Sequence, residues 1–74
     1  MREEDRKKFV NLAEKRVNSA IRYIRLIGNL SNKSNYVYTE KDVRKISSAL
    51  NKEIKKMKEK FENNGSTTAD TFKL

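Results

Sequence analysis

Thr39 and Asp42 mark a helix start more firmly than any other pair in the chain, and they divide the 74 residues into two halves. A threonine three residues ahead of an acid is the pattern of a capping box. The Thr hydroxyl accepts from the amide of the third helical residue, and the acid reaches back to the amide of the threonine. Aspartate in place of the usual Glu or Gln makes the match a weaker one. Tyr38 and Val43 flank the cap at the spacing of a hydrophobic staple. A helix is therefore expected to begin at Glu40, with an aromatic ring setting the angle at which the chain enters it.

The segment before the cap reads as a first helix over about residues 2–28. Glu3, Glu4 and Asp5 sit near its start, where acids suit the helix dipole. Val10, Ala13, Val17, Ala20, Ile24 and Ile27 recur in steps of three and four, a heptad seam with small residues at alternate positions. Phe9, Leu12, Tyr23, Leu26 and Leu30 lie to one side of that seam, and Ile21 to the other. From Ile21 to Leu30 the helix is apolar around most of its circumference, a pattern that calls for cover on two sides.

Gly28 and Asn29 read as a left-handed helix stop; the alternative is that the helix runs on to Asn32 and Gly28 is a close-packing point. Residues 29–39 read as a polar loop, long for two antiparallel helices, with Tyr36-Val37-Tyr38 as a short extended piece. The second helix is expected over residues 40–62. Its narrow stripe is Val43, Ile46, Leu50, Ile54, Met57 and Phe61. Asn63-Asn64-Gly65 stops it, and residues 65–74 read as a flexible tail in which Phe72 and Leu74 are the only bulky apolar residues. The expected fold is all-α. Residues 1–64 form an antiparallel two-helix hairpin, completed to a helical bundle by self-association. Self-association is expected because a hairpin this small, 35% apolar and 38% charged, buries too little to offset the entropy of ordering it.

Composition narrows the function classes. The chain has no Cys and no His, which removes disulfides, the usual zinc and copper ligands, and every Ser-His or Cys-His nucleophile pair. A chain this short offers little concave volume. The expectation is a non-catalytic protein with no cofactor and no metal. The longest apolar runs are two or three residues, so no membrane span or membrane partner is expected. The charged start, Met1 to Lys8, does not resemble a signal peptide. Cytoplasm is the default location.

The net charge of +8, from 18 basic against 10 acidic residues, favours an anionic partner. Lys41, Arg44, Lys45, Lys52, Lys55 and Lys56 project opposite the apolar stripe of the second helix. Lys8, Lys15 and Arg22, spaced by seven, share a face of the first. Together they are the candidate nucleic-acid-binding residues, suited to phosphate contacts rather than base reading. A solvated lysine face needs the same residues. The long loop argues against a helix-turn-helix reader, and a membrane-surface helix ranks low because few bulky interfacial residues are present. The first expectation is a small accessory or regulatory protein that associates with nucleic acid or a nucleoprotein complex. The alternative is an adaptor or stoichiometric inhibitor of a larger protein, using Tyr23, Leu26, Leu30, Tyr36 and Tyr38, residue types suited to a groove.

The run Gly28-Asn29-Leu30-Ser31-Asn32-Lys33-Ser34-Asn35-Tyr36, continued by Tyr38-Thr39-Glu40-Lys41-Asp42-Val43-Arg44-Lys45-Ile46, resembles a group of small uncharacterised bacterial proteins. Their shared pattern is G-N-x-S-N-x-x-x-Y-x-Y-[ST]-x-x-D-V-x-K-I. The likeness extends from Ile24 to Phe61, about half the chain. It implies a bacterial chromosomal or mobile-element origin and carries no activity, cofactor, partner or site residue with it. Most of the motif has a structural reading of turns and caps. A functional reading makes Asn29, Asn32, Asn35 and Tyr36 a polar recognition surface.

Overall fold

A computed structural model describes residues 2–63, and among these the chain is all-α with no strand. Two α-helices, α1 (Arg2–Gly28) and α2 (Glu40–Glu62), are separated by a single 3-10 turn, Asn29–Ser31, and an irregular segment. The chain forms two units, Met1–Val37 and Tyr38–Leu74. Asn64 and Gly65 of the expected stop signal lie outside the described residues. So do the tail and its Phe72 and Leu74.

α1 is 27 residues long, well beyond the length at which a helix in water is marginal. Glu3, Glu4 and Asp5 occupy its first turn and Arg25 its last, each on the side of the dipole that favours its charge. The aromatics of α1 carry cations from their own helix. The Arg6 guanidinium carbon sits 5.8 Å from the centre of the Phe9 ring, and that of Arg22 sits 5.6 Å from the centre of the Tyr23 ring.

The end of α1 corrects one sequence expectation. Gly28 has φ −59° and ψ −31°, ordinary right-handed helix, so it is not a left-handed cap. The backbone tightens into the 3-10 turn beyond it and leaves the helical region only at Asn32, with φ −71° and ψ 100°. A Cβ built at Gly28 meets no atom within 4 Å. Asn32 makes the turn instead. Its Oδ1 accepts from the Ser34 amide at 2.9 Å. Its carbonyl accepts from the amides of Asn35 and Tyr36, each at 3.0 Å. Asn32, through its side chain and its backbone carbonyl, thereby organises the segment that follows the helix.

α2 starts as the sequence indicates. Thr39 is extended, at φ −115° and ψ 166°, and its Oγ1 accepts from the Asp42 amide at 3.1 Å. The Asp42 carboxylate accepts from the Thr39 amide at 2.9 Å, which closes the box. The first helical bond, from the Val43 amide to the Thr39 carbonyl, is 3.2 Å. Tyr38 stands at the staple position and is half-buried, whereas Val37 before it is fully exposed. At the other end, Asn63 donates from both its amide and its side chain to the Glu59 carbonyl, at 3.0 and 2.7 Å. This satisfies a carbonyl that the helix leaves open.

No described residue is buried. By projection at about 100° per residue, the apolar arc of α2 is about 80° wide and that of α1 about 220°. Neither helix is long and apolar enough to cross a membrane.

Thr39→Ala removes the acceptor for the Asp42 amide and should destabilise α2 by about 1 kcal/mol, read as a lower helix melting temperature by circular dichroism. Gly28→Ala should stabilise α1 by about 0.5–1 kcal/mol, because the backbone is already helical and the added methyl enters open space. A loss of stability in that variant would show that α2 or a second chain packs closely against α1 at Gly28.

Candidate nucleic-acid interface

The cationic face of α2 follows from a spacing. Lys41, Lys45, Ser48 and Lys52 stand at i, i+4, i+7 and i+11, one row along a helix. Arg44 and Ala49 flank that row. These six residues line one continuous shallow surface. Ser48 and Ala49 are its floor, and their small side chains leave the backbone of α2 close to whatever lies across the cations. The sequence reading identified the cations and missed this floor. The spacing of Ser48 within the row was the signal that could have found it. From Lys41 to Lys52 the row extends about 16 Å, at 1.5 Å of rise per residue.

The cations are not equivalent. Arg44 Nη1 lies 3.9 Å from Glu40 Oε2, four residues back, with both side chains largely exposed. Such a pair is weak and exchanges readily with solvent. Lys41, Lys45 and Lys52 form no ion pair among the described residues. Lys55 projects to the same side by helical geometry. Lys56 is the cation on this side of α2 that holds a second acid: its Nζ lies 3.5 Å from Glu53 Oε2. It lines a second shallow surface with Glu53, Met57, Lys60 and Phe61, where α2's apolar stripe meets its flank. On α1, Lys8, Lys15 and Arg22 are all exposed, with Arg22 additionally held over Tyr23.

The residues of the alternative, protein-binding surface divide by burial. Tyr23 is 61% exposed, Leu26 52% and Leu30 47%, while Tyr38 is half-buried at the mouth of α2. Tyr36 is exposed and its amide is tied to Asn32. Asn32 itself is engaged in building the turn, which favours the structural reading of that residue over the recognition reading. No group of three or more metal-ligating side chains occurs among the described residues.

Compared with family models, with curated proteins and with solved structures, the chain matches none.

Proposed function

We propose that the chain is a non-catalytic, basic accessory or regulatory protein that associates with nucleic acid, or with a nucleoprotein complex, through phosphate contacts. In this reading α1 and α2 fold back as an antiparallel hairpin that a second copy completes to a bundle, so that the apolar stripes turn inward and the cationic faces outward. The observation that carries the proposal is the surface formed by Lys41, Arg44, Lys45 and Lys52 over the small residues Ser48 and Ala49. Three of its four cations have no acid partner among the described residues. Lysine as the main cation suits contacts to phosphate without base discrimination. The resemblance of the Gly28-to-Ile46 run to small bacterial proteins supports, in this proposal, a bacterial or mobile-element context.

A second reading rests on the exposure of Tyr23, Leu26 and Leu30. Together with Tyr36 and Tyr38 they would dock against a larger protein, with the chain as an adaptor or inhibitor. Aromatic and Arg anchors are frequent at such interfaces, and Arg22 over Tyr23 supplies both.

Fluorescence anisotropy with a short labelled duplex across a salt series separates the two. Four neutralised phosphates give a log–log salt slope of roughly −3.6, at about 0.9 per contact. Lys45→Glu with Lys52→Glu should weaken binding by at least about tenfold at low salt, while Lys60→Glu, outside the row, should change it far less. Leu30→Ala and Tyr36→Ala should leave duplex affinity unchanged. An absence of binding at low salt would overturn the proposal and leave the protein-docking reading.

A further inference from the structure

α1 carries a second heptad seam beside the first, and its pattern is complementary to itself. Phe9, Leu12, Arg16, Ser19, Tyr23 and Leu26 recur in alternating steps of three and four. They form an apolar pair, a polar pair and an apolar pair, and all six are exposed. Polar residues inside a seam set register and orientation, because the alignment that leaves them against apolar partners is penalised.

We infer that this seam pairs antiparallel with the same seam of a second copy, and that the pairing completes a cationic groove for a polyanion. The register follows from the pattern. Antiparallel packing sets Phe9 against Leu26 of the second chain, Leu12 against its Tyr23, and Arg16 against its Ser19; two-fold symmetry repeats each layer. Every apolar residue then meets an apolar one, and the bulky Arg16 meets the smallest side chain of the seam. A shift by one heptad brings Arg16 onto Leu26 and Ser19 onto Tyr23. A parallel pair stacks the two Arg16 guanidinium groups in the seam and aligns the two helix dipoles, both unfavourable.

The flank of the seam bears on function. Lys8, Lys15 and Arg22 each directly precede a seam position, at Phe9, Arg16 and Tyr23. In antiparallel pairing, like flanks face each other. The three cations of one chain therefore run alongside the three of the other, six in one row that neither chain has alone. Their mutual repulsion weakens the pair at low salt, and a phosphate backbone lying along the row relieves it. Pairing and polyanion binding are thus linked, each strengthening the other. This linkage rests on the nucleic-acid reading above; the pairing itself does not.

The chain has no cysteine, so introduced thiols report pairing cleanly. Phe9→Cys and Leu26→Cys chains are mixed and oxidised without DNA in roughly 0.5 M NaCl, where repulsion between the flanks is screened. The expected product is the mixed disulfide, with little dimer from either chain alone. Equal homodimer yields from each chain alone would show parallel pairing and overturn the inference. So would a yield no higher than that of Asn18→Cys, which lies off the seam. Sedimentation equilibrium of the unsubstituted chain guards against misfolded variants: its mass should rise toward a dimer as salt increases without DNA, and a constant monomer mass overturns the pairing. A short duplex at low salt should raise the mixed-disulfide yield roughly threefold. No rise with a duplex that binds overturns the linkage. A duplex that does not bind overturns the proposed function, and the DNA-free yields still judge the pairing.

Discussion

An α-helix satisfies its own backbone but cannot bury its own side chains. That constraint governs this protein, because α1 and α2 account for most of the described residues and no described residue is buried. The stability visible in each helix is local: acids at the N-termini, a closed capping box on α2, a doubly donating Asn63 at its end, and weak i,i+3 and i,i+4 ion pairs. Local interactions of this kind contribute tenths of a kcal/mol to about 1 kcal/mol apiece. Ordinary domains gain far more from burying apolar surface, at about 25 cal/mol per Å². Here that gain must come from whatever covers the two stripes.

The two helices ask for different amounts of cover. The stripe of α2 is narrow enough for one neighbour. The arc of α1 is more than twice as wide by projection, and it resolves into two adjacent heptad seams. One contains Ala13 and Ala20, which allow a close neighbour; the other contains Arg16 and Ser19, which restrict the neighbour to one that can meet a cation and a hydroxyl. A helix with two faces of this kind suits a bundle, in which each helix touches two others. The proposed hairpin uses one face and the second copy the other.

Charge is arranged around the same geometry. On α2, Lys41, Lys45, Lys52 and Lys55 lie opposite the apolar stripe by projection, while Glu53, Lys56 and Lys60 sit on its flank beside Met57 and Phe61.

Much of this was legible from residue types alone. Thr39 and Asp42 announced the start of α2 because a cap is a contact between residues three apart. The stripe of α2 was readable because helical periodicity is a local property. Gly28 misled, since glycine permits a left-handed turn without requiring one, and here the backbone stays right-handed until Asn32. Whether Ser48 is a spacer or the floor of a surface likewise depends on which side chains rise around it, and the row from Lys41 to Lys52 settles that only once the helix is built. Where the helices lie and which faces are apolar follow from interactions within a few residues, so residue order was enough to read them. Only the three-dimensional structure decided which polar group closes the turn and which cations hold an acid, because those depend on atomic distances that residue spacing does not specify.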